Sequence, residues 1–363
     1  MKKLLVIALA VVLTLSFAVV ASAAALDAYV GGRLTWSYVD SDAREDDPVG
    51  YGNSGIKMLL KGKVSDEATG TWGALGAKID GWPDGNKALN TSSIYEFGID
   101  GVGGSNINLW YSNFENEKGN RGQGRIYNVD PLQSHDDCMF DRDLTNNVIG
   151  VDYVTDNVVV NFGYEPNKNV AFDKNVMSIA GTFKFDGGNV HVGYWDNVLG
   201  YDTDGDASTP NTDYEATEMN IGAEMKLGFG TVKVDFLALD VTEDATGVDS
   251  AYEGGSIIQA GVSLDDLKLD VAVAMDDKYV FANDGGMIYQ IKYSPIDNLT
   301  FCYRAAQAKE DVDEQANFTN LYVGYKYGVI ESRVGMATKG EDNDAAGIEQ
   351  QDMVYASCYV SFW

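Results

Sequence analysis

The chain has 363 residues, with 55 acidic against 26 basic side chains and a formal net charge of −29. Such a surplus excludes non-specific nucleic-acid binding, which needs basic patches. Its 45% apolar and 11% aromatic residues exclude disorder, because the chain can bury surface.

Met1-Lys2-Lys3, the apolar stretch Leu4 to Val20, and the small residues Ala21-Ser22-Ala23 read as a secretory signal peptide over residues 1–23. A retained anchor would carry a charged stop after the apolar stretch. Residues 24–363 are then one domain. Loss of Lys2 and Lys3 makes the mature chain more acidic still. Outside the leader no apolar run approaches the roughly 18 residues of a membrane helix. A mature chain that spans a membrane therefore does so as strands.

Period-two alternation dominates the mature chain. Ala28, Val30, Leu34, Trp36 and Tyr38 alternate with Tyr29, Arg33, Thr35 and Ser37. Ile56, Met58 and Leu60 alternate with Lys57 and Lys61. The pattern recurs at Val158 to Glu165, Met219 to Leu227, Leu267 to Met275 and Met287 to Tyr293. Successive strand side chains point to opposite faces, so each segment has one apolar and one polar face.

Three features favour a transmembrane barrel over a soluble sandwich. The segments run to about 9 to 14 residues, close to the roughly 9 to 11 of a tilted membrane strand. Connections alternate between long, centred on 41–53, 81–92, 115–145, 166–174, 197–213, 241–254, 276–286, 308–317 and 339–351, and short, near 65–70, 100–105, 155–157, 186–189, 228–230, 265–266, 295–298 and 328–329. Membrane barrels have short periplasmic turns and long outer loops. No charge falls in the middle of an apolar face, as lipid requires. Pro48, Pro83, Pro131, Pro166 and Pro210 fall in long connections and Pro295 at a short turn, away from paired strand interiors. The expectation is an all-β, antiparallel transmembrane β-barrel of 18 strands, with 16 as the alternative.

The last strand ends at Val360-Ser361-Phe362-Trp363. An aromatic terminus on an amphipathic strand resembles the signal read by barrel-assembly machinery, with Phe362 and Trp363 as its residues here. Val354, Ala356, Cys358, Val360 and Phe362 form the cleaner apolar face; the alternation leaves open which face Trp363 shares.

The mature chain resembles the Gram-negative general porins in architecture: leader, alternating long and short connections, aromatic end. The best local likeness is the third long connection, residues 115–145, the longest in the chain, between the fifth and sixth predicted strands. Arg142 to Tyr153, RDLTNNVIGVDY, resembles the Arg/Asn-rich stretch with which those porins leave this loop. Thr155-Asp156-Asn157 replaces their usual serine-proline turn. General porins usually have 16 strands; a count of 18 suits the substrate-selective channels. The resemblance implies an outer-membrane porin that passes ions and small hydrophilic solutes by passive diffusion. It also implies a homotrimer in contact with outer-membrane lipid and lipopolysaccharide.

With polar faces turned inward, the wall bases are Arg33, Lys57, Lys61, Lys63, Lys78, Lys184, Lys226, Lys233, Lys268, Lys292, Arg304, Lys326 and Arg333. The wall acids are Asp80, Glu96, Asp152, Glu165, Glu218, Glu224, Asp235, Asp270 and Glu331. The wall is thus mildly basic, and the acidity belongs to loops, turns and ends. A hairpin turning near residue 46 brings Arg33 opposite about residue 59, beside Lys57 and Lys61. In general porins an acidic inward loop faces such a patch across the narrowest point. The resemblance therefore implies a constriction in which Arg33, Lys57 and Lys61 face Asp130, Asp136, Asp137 or Asp141, with Arg142 beside them. The alternative is an external third loop over a wide lysine-lined pore. The acidic mouth favours cations and the basic wall favours anions, and the larger surplus at the mouth leans the expectation to cations.

Other motifs carry less. Asp202, Asp204 and Asp206 alternate like the start of a calcium loop, but the later glutamate is missing and Asp213 stands near its place; a solvated acidic loop is the better reading. Cys138, Cys302 and Cys358 form neither a disulfide framework nor a zinc pattern, and free thiols are expected. His135 and His191 are the only histidines; His135 stands beside Asp136 and Asp137, as an acid-rich connection gives by composition, and His191 faces inward near a turn. No enzymatic activity and no cofactor are expected. A structural barrel with a plugged lumen remains the third class.

Overall fold

A computed structural model of the chain describes residues 25–41, 51–81, 90–113, 140–141, 147–169, 174–200, 214–244, 254–277, 285–308, 318–339 and 351–362. The expected leader, Trp363, and most of each long connection lie outside the described residues.

The strands in chain order are β1 (Ala25–Ser41), β2 (Tyr51–Asp66), β3 (Thr71–Gly81), β4 (Asn90–Ile99), β5 (Ile107–Ser112), β6 (Phe140–Asp141) and β7 (Val148–Val154). They continue as β8 (Val158–Asn169), β9 (Lys174–Phe185), β10 (Gly188–Gly200), β11 (Tyr214–Leu227), β12 (Gly230–Asp244) and β13 (Gly254–Leu264). The last are β14 (Leu269–Asp277), β15 (Gly286–Ile296), β16 (Leu299–Ala308), β17 (Phe318–Tyr327), β18 (Ile330–Lys339) and β19 (Gln351–Phe362). All nineteen of these described strands belong to one antiparallel sheet. Eighteen of them, all but the two-residue β6, form a ring of sequential neighbours, with β5 followed by β7. The ring closes where β1 pairs with β19, from Gly32↔Phe362 to Ser41↔Met353.

A closed ring has two faces, and the alternation sorts residues between them. Leu75, Phe97, Leu109, Ile149, Ile179, Ile221, Met275 and Leu321 are exposed, share one parity, and point outward. Glu96, Asp152, Ser178, His191, Asp235 and Gln290 share the other parity and are buried. Among the described residues, charges on the outward parity fall at strand ends or, like Asp196 and Asp240, in the half of the strand toward the long connections. Bare apolar surface around a whole barrel suits hydrocarbon and not water. Aromatic pairs sit on this outer face. Tyr293 stacks on Phe301 at 6.5 Å near the short turns. Tyr111 stacks on Tyr95 at 5.9 Å and on Phe97 at 5.0 Å across β4 and β5.

The described short connections lie at one end of the barrel. Asp186-Gly187 is a two-residue turn with Gly187 at φ 87, a left-handed conformation that glycine adopts without a Cβ clash. Asn298 adopts φ 71 after Asp297 in the turn between β15 and β16.

Three expectations need correction. Pro166 lies within β8 and Pro295 within β15. Each sits where the register shifts, between Glu165 and Asn169 and between Tyr293 and Ile296, so neither removes a ladder hydrogen bond. Lys268 is not on the wall: it caps a 3-10 turn at φ 49 and its Nζ lies 3.0 Å from Asp297 of the next turn. Arg33 pairs with Lys57 and not with residue 59, because the hairpin centre lies one residue earlier. That shift of two keeps both positions on the inward parity.

Val273, exposed at the centre of β14, lies at mid-height of the outward face. Val273→Arg should destabilise the barrel by about 2–4 kcal/mol in urea titrations of folding into lipid bilayers. Ser263→Arg, inward and half-buried near a turn, should stay within about 0.5 kcal/mol.

Candidate pore lining

The inward parity divides into two arcs of different charge. From β15 through β19 and β1 to β3, the inward side chains include Lys292, Arg304, Lys326, Arg333, Lys61 and Lys63. Positions 33, 57 and 78 share that parity by register. Acids on this arc are Glu331, with positions 27 and 80. From β4 to β14 the inward side chains include Glu96, Asp152, Glu165, Glu218, Glu224, Asp235, Asp270 and Asp276. Lys184, Lys226 and Lys233 on that arc lie close to the turns. Asp276, assigned to a long connection from sequence, is the buried end of β14.

Three acids of the second arc, Asp152, Glu96 and Asp235, are held in wall hydrogen bonds. Asp152 Oδ1 accepts from Trp110 Nε1 at 2.9 Å and from Asn161 Nδ2 at 3.1 Å. Glu96 accepts from Ser112 Oγ at 3.1 Å and forms an ion pair with Lys61. Lys61 stands opposite Gly76 on β3, which leaves room to reach β4 beyond it. His191 Nε2 lies 2.6 Å from Asp235 Oδ1, with both side chains at 1% exposure or less. The pair spans β10 to β12 across Gly222, whose missing Cβ would overlap both partners. A buried acid stays charged at tolerable cost only when hydrogen-bonded or paired.

Large apolar side chains also point inward, which the amphipathic reading missed. Trp110, Val148 and Val176 form a buried cluster with Trp72 against it. The Trp110 indole covers Gly150, and the Trp72 indole covers Gly98. Leu237, Ile257 and Ile288 are fully buried on the same face. The sequence signal was present in Phe236-Leu237-Ala238-Leu239, where both parities are apolar.

Exposure follows the arcs in part. Between β4 and β15 the inward side chains away from the turns are buried, with Asp235 and Gln259 at 0%. From β16 round to β3, among the described side chains, Arg304, Asn320, Tyr322, Arg333, Tyr355 and Lys61 are only half-buried, beside buried Cys302, Ala306, Ser357 and Ala74. Arg333 keeps 33% of its side-chain surface.

Of the expected constriction residues, Arg33 and Lys57 are ladder partners and Lys61 is paired with Glu96 of the wall. Asp141 belongs to β6, whose backbone pairs with Leu199 and Gly200 of β10. The two residues of β6 are therefore paired to the wall three strands beyond β7. Asp130, Asp136, Asp137 and Arg142 lie outside the described residues, as do Asp202, Asp204, Asp206, His135 and Cys138. Cys302 is a free thiol on the inward face; Cys358 is free and shares the outward parity of Val354.

Gly222→Ala should separate His191 from Asp235 and cost about 1–3 kcal/mol of folded stability in the same urea titrations. The control is Ala223→Gly, on the opposite parity of the same strand, which leaves the pair intact and should cost less.

No protein-family description matches the chain, and no curated protein matches it. Solved structures do. A tryptophan variant of Rhodopseudomonas blastica porin matches with a TM-score of 0.54 at 12% identity, over 93% of this chain and 100% of that one. A variant of the same porin with alanines in place of two acids gives 0.54 at 11%, with the same coverage. One with alanines in place of a lysine and an arginine gives 0.53 at 11%, again with the same coverage. At such identity the likeness is one of fold, and it agrees with the closed ring, the apolar outer belt and the charged inner face: the chain has the fold of a porin-like β-barrel.

Proposed function

We propose that the chain is an outer-membrane porin, a water-filled channel for passive diffusion of ions and small hydrophilic solutes. The observation that carries this reading is the set of half-exposed inward side chains Arg304, Asn320, Tyr322, Arg333, Tyr355 and Lys61, within a barrel whose described outer face is apolar. An inner wall that keeps such side chains in contact with water offers a path through the bilayer. Export by the leader over residues 1–23, assembly through the terminal Phe362 and Trp363, contact with lipopolysaccharide and trimerisation belong to the same proposal. We read it as a channel without enzymatic activity or cofactor.

The third long connection is proposed to narrow the lumen. Two described features support this: β6 is paired to β10, away from its own hairpin, and the inward face between β4 and β15 is covered. A substrate-selective channel is the second reading, favoured by the ring of eighteen strands.

Liposome swelling with sugars of rising size tests the function. The proposal expects rates that fall with solute size. Saturable flux would favour the selective channel, and a folded barrel that passes no sugar would contradict both. Deletion of residues 118–140 should raise single-channel conductance; unchanged conductance would reject the constriction role.

A further inference from the structure

The apolar belt ends differently on the two sides of the turn end. From β2 to β10 each short turn carries an acid: Asp66 and Glu67, then Asp100, Asp156 and Asp186. No large apolar side chain within these four turns is exposed. The turns from β11 to β12 and from β17 to β18 are different. They read Leu227-Gly228-Phe229 and Tyr327-Gly328-Val329, one pattern of apolar residue, glycine and apolar residue, with no acid. Between them on the ring, Leu267 tips the turn from β13 to β14 and Ile296 ends β15. Acids do stand there: Asp265 and Asp266 precede Leu267, and Asp297 follows Ile296 and pairs with Lys268 at 3.0 Å.

The two acid-free turns present their apolar groups outright. Phe229 and Val329 each keep 52% of their surface. Tyr327 keeps 74%, the most of any large apolar side chain among the described residues. A Cβ added at Gly228 or Gly328 would meet nothing within 4 Å, so both turns project clear of the rest of the rim. Both also prolong the outer face. Ile221, Met225 and Leu227 lead down to Phe229, and Leu321, Val323, Tyr325 and Tyr327 lead down to Val329, all of them exposed. No charge interrupts either run, because Lys226 and Lys326 belong to the inward parity.

A single exposed apolar side chain is ordinary on a surface in water. Here the same arrangement recurs at two turns, and each is continuous with a belt suited to hydrocarbon. Neither Gly228-Phe229 nor Gly328-Val329 offers a side-chain hydrogen-bonding group of the kind a protein partner's recognition uses. Lipid asks for none: an apolar group gains by reaching the boundary between headgroups and acyl chains. We propose that the turns at 228–229 and 328–329 are lipid anchors. Phe229 and Val329 sit in the headgroup–acyl boundary of the bilayer leaflet at the turn end, while the turns from β2 to β10 stand in water. This rests on the membrane-barrel reading above and makes the β11-to-β18 side the lipid-anchored side of the ring.

The test uses the purified protein with Cys138, Cys302 and Cys358 changed to alanine, folded into phosphatidylcholine vesicles. A single environment-sensitive fluorophore is attached through Phe229→Cys, Val329→Cys, Ala68→Cys, Asn157→Cys or Val273→Cys. Labels at 229 and 329 should emit to the blue of those at 68 and 157. Phosphatidylcholine with a nitroxide just below the headgroup should quench them several-fold more. Equal emission and quenching at the four turn positions, with a blue-shifted label at 273, would overturn the proposal and leave the barrel reading intact. A label at 273 that reports water would overturn both. Should the cysteine-free chain fail to fold, tryptophan replaces the label in the natural chain. Phe229→Trp and Val329→Trp should each add emission that brominated phosphatidylcholine quenches, and Ala68→Trp emission that it leaves unquenched. The reverse order, or no difference, would overturn the proposal.

Discussion

The structure depends on one constraint: a backbone N–H or C=O facing hydrocarbon must find a partner within the protein, because no water is there to supply one. An open sheet cannot meet it at its edges. The chain meets it by pairing β1 with β19 along ten residue pairs, from Gly32↔Phe362 to Ser41↔Met353. Closure then determines the rest. It gives every strand an inside and an outside, so a period-two sequence becomes an apolar belt and a polar lining. It confines prolines to interruptions of the ladder, as at Pro166 and Pro295, and gathers the short turns at one end.

Inside the ring the electrostatics follow from burial. Asp152, Glu96 and Asp235 are removed from water, and each is held by a specific donor: the Trp110 and Asn161 side chains, Ser112 with Lys61, and His191. The small residues in between are part of this arrangement. Gly222 admits the His191–Asp235 pair, and Gly150 and Gly98 admit the two indoles. On β15 to β18 Lys292, Arg304 and Arg333 are only half-buried.

Much of this was legible in the residues. The outward parity was plain from Met219, Ile221, Ala223, Met225 and Leu227, and the turns from Asp186-Gly187 and Asp297-Asn298. Eighteen segments could be counted because strand and connection lengths alternate so regularly. Other features were hidden for physical reasons. Leu237 and Ile257 point inward although binary patterning turns apolar faces to lipid, because burial on the inner face depends on contacts distant in sequence. The His191–Asp235 pair joins residues 44 apart and has no local signature. Lys268 kept the alternation but lies in a turn, since periodicity alone does not say where a strand begins. The partner of Arg33 was misplaced by two residues, because moving a hairpin centre by one residue moves each partner by two. The expected constriction acids sit in the third connection, where no alternation fixes a position; of these only Asp141 is among the described residues.

Closure is the central claim, and the chain offers its own probe. Cys358 stands opposite Trp36 across the β1–β19 seam. Directly opposed residues of an antiparallel pair have Cα separations of about 4.5–5.5 Å, within the range a disulfide spans. In a chain with Cys138 and Cys302 changed to alanine, Trp36→Cys should form an intramolecular disulfide with Cys358 on mild oxidation of the membrane-inserted protein, seen as loss of both free thiols without dimer formation. Gly32→Cys, whose partner is Phe362, should keep both thiols. Retained thiols in the Trp36→Cys chain, or a disulfide in the Gly32→Cys chain instead, would contradict the closed ring and its register.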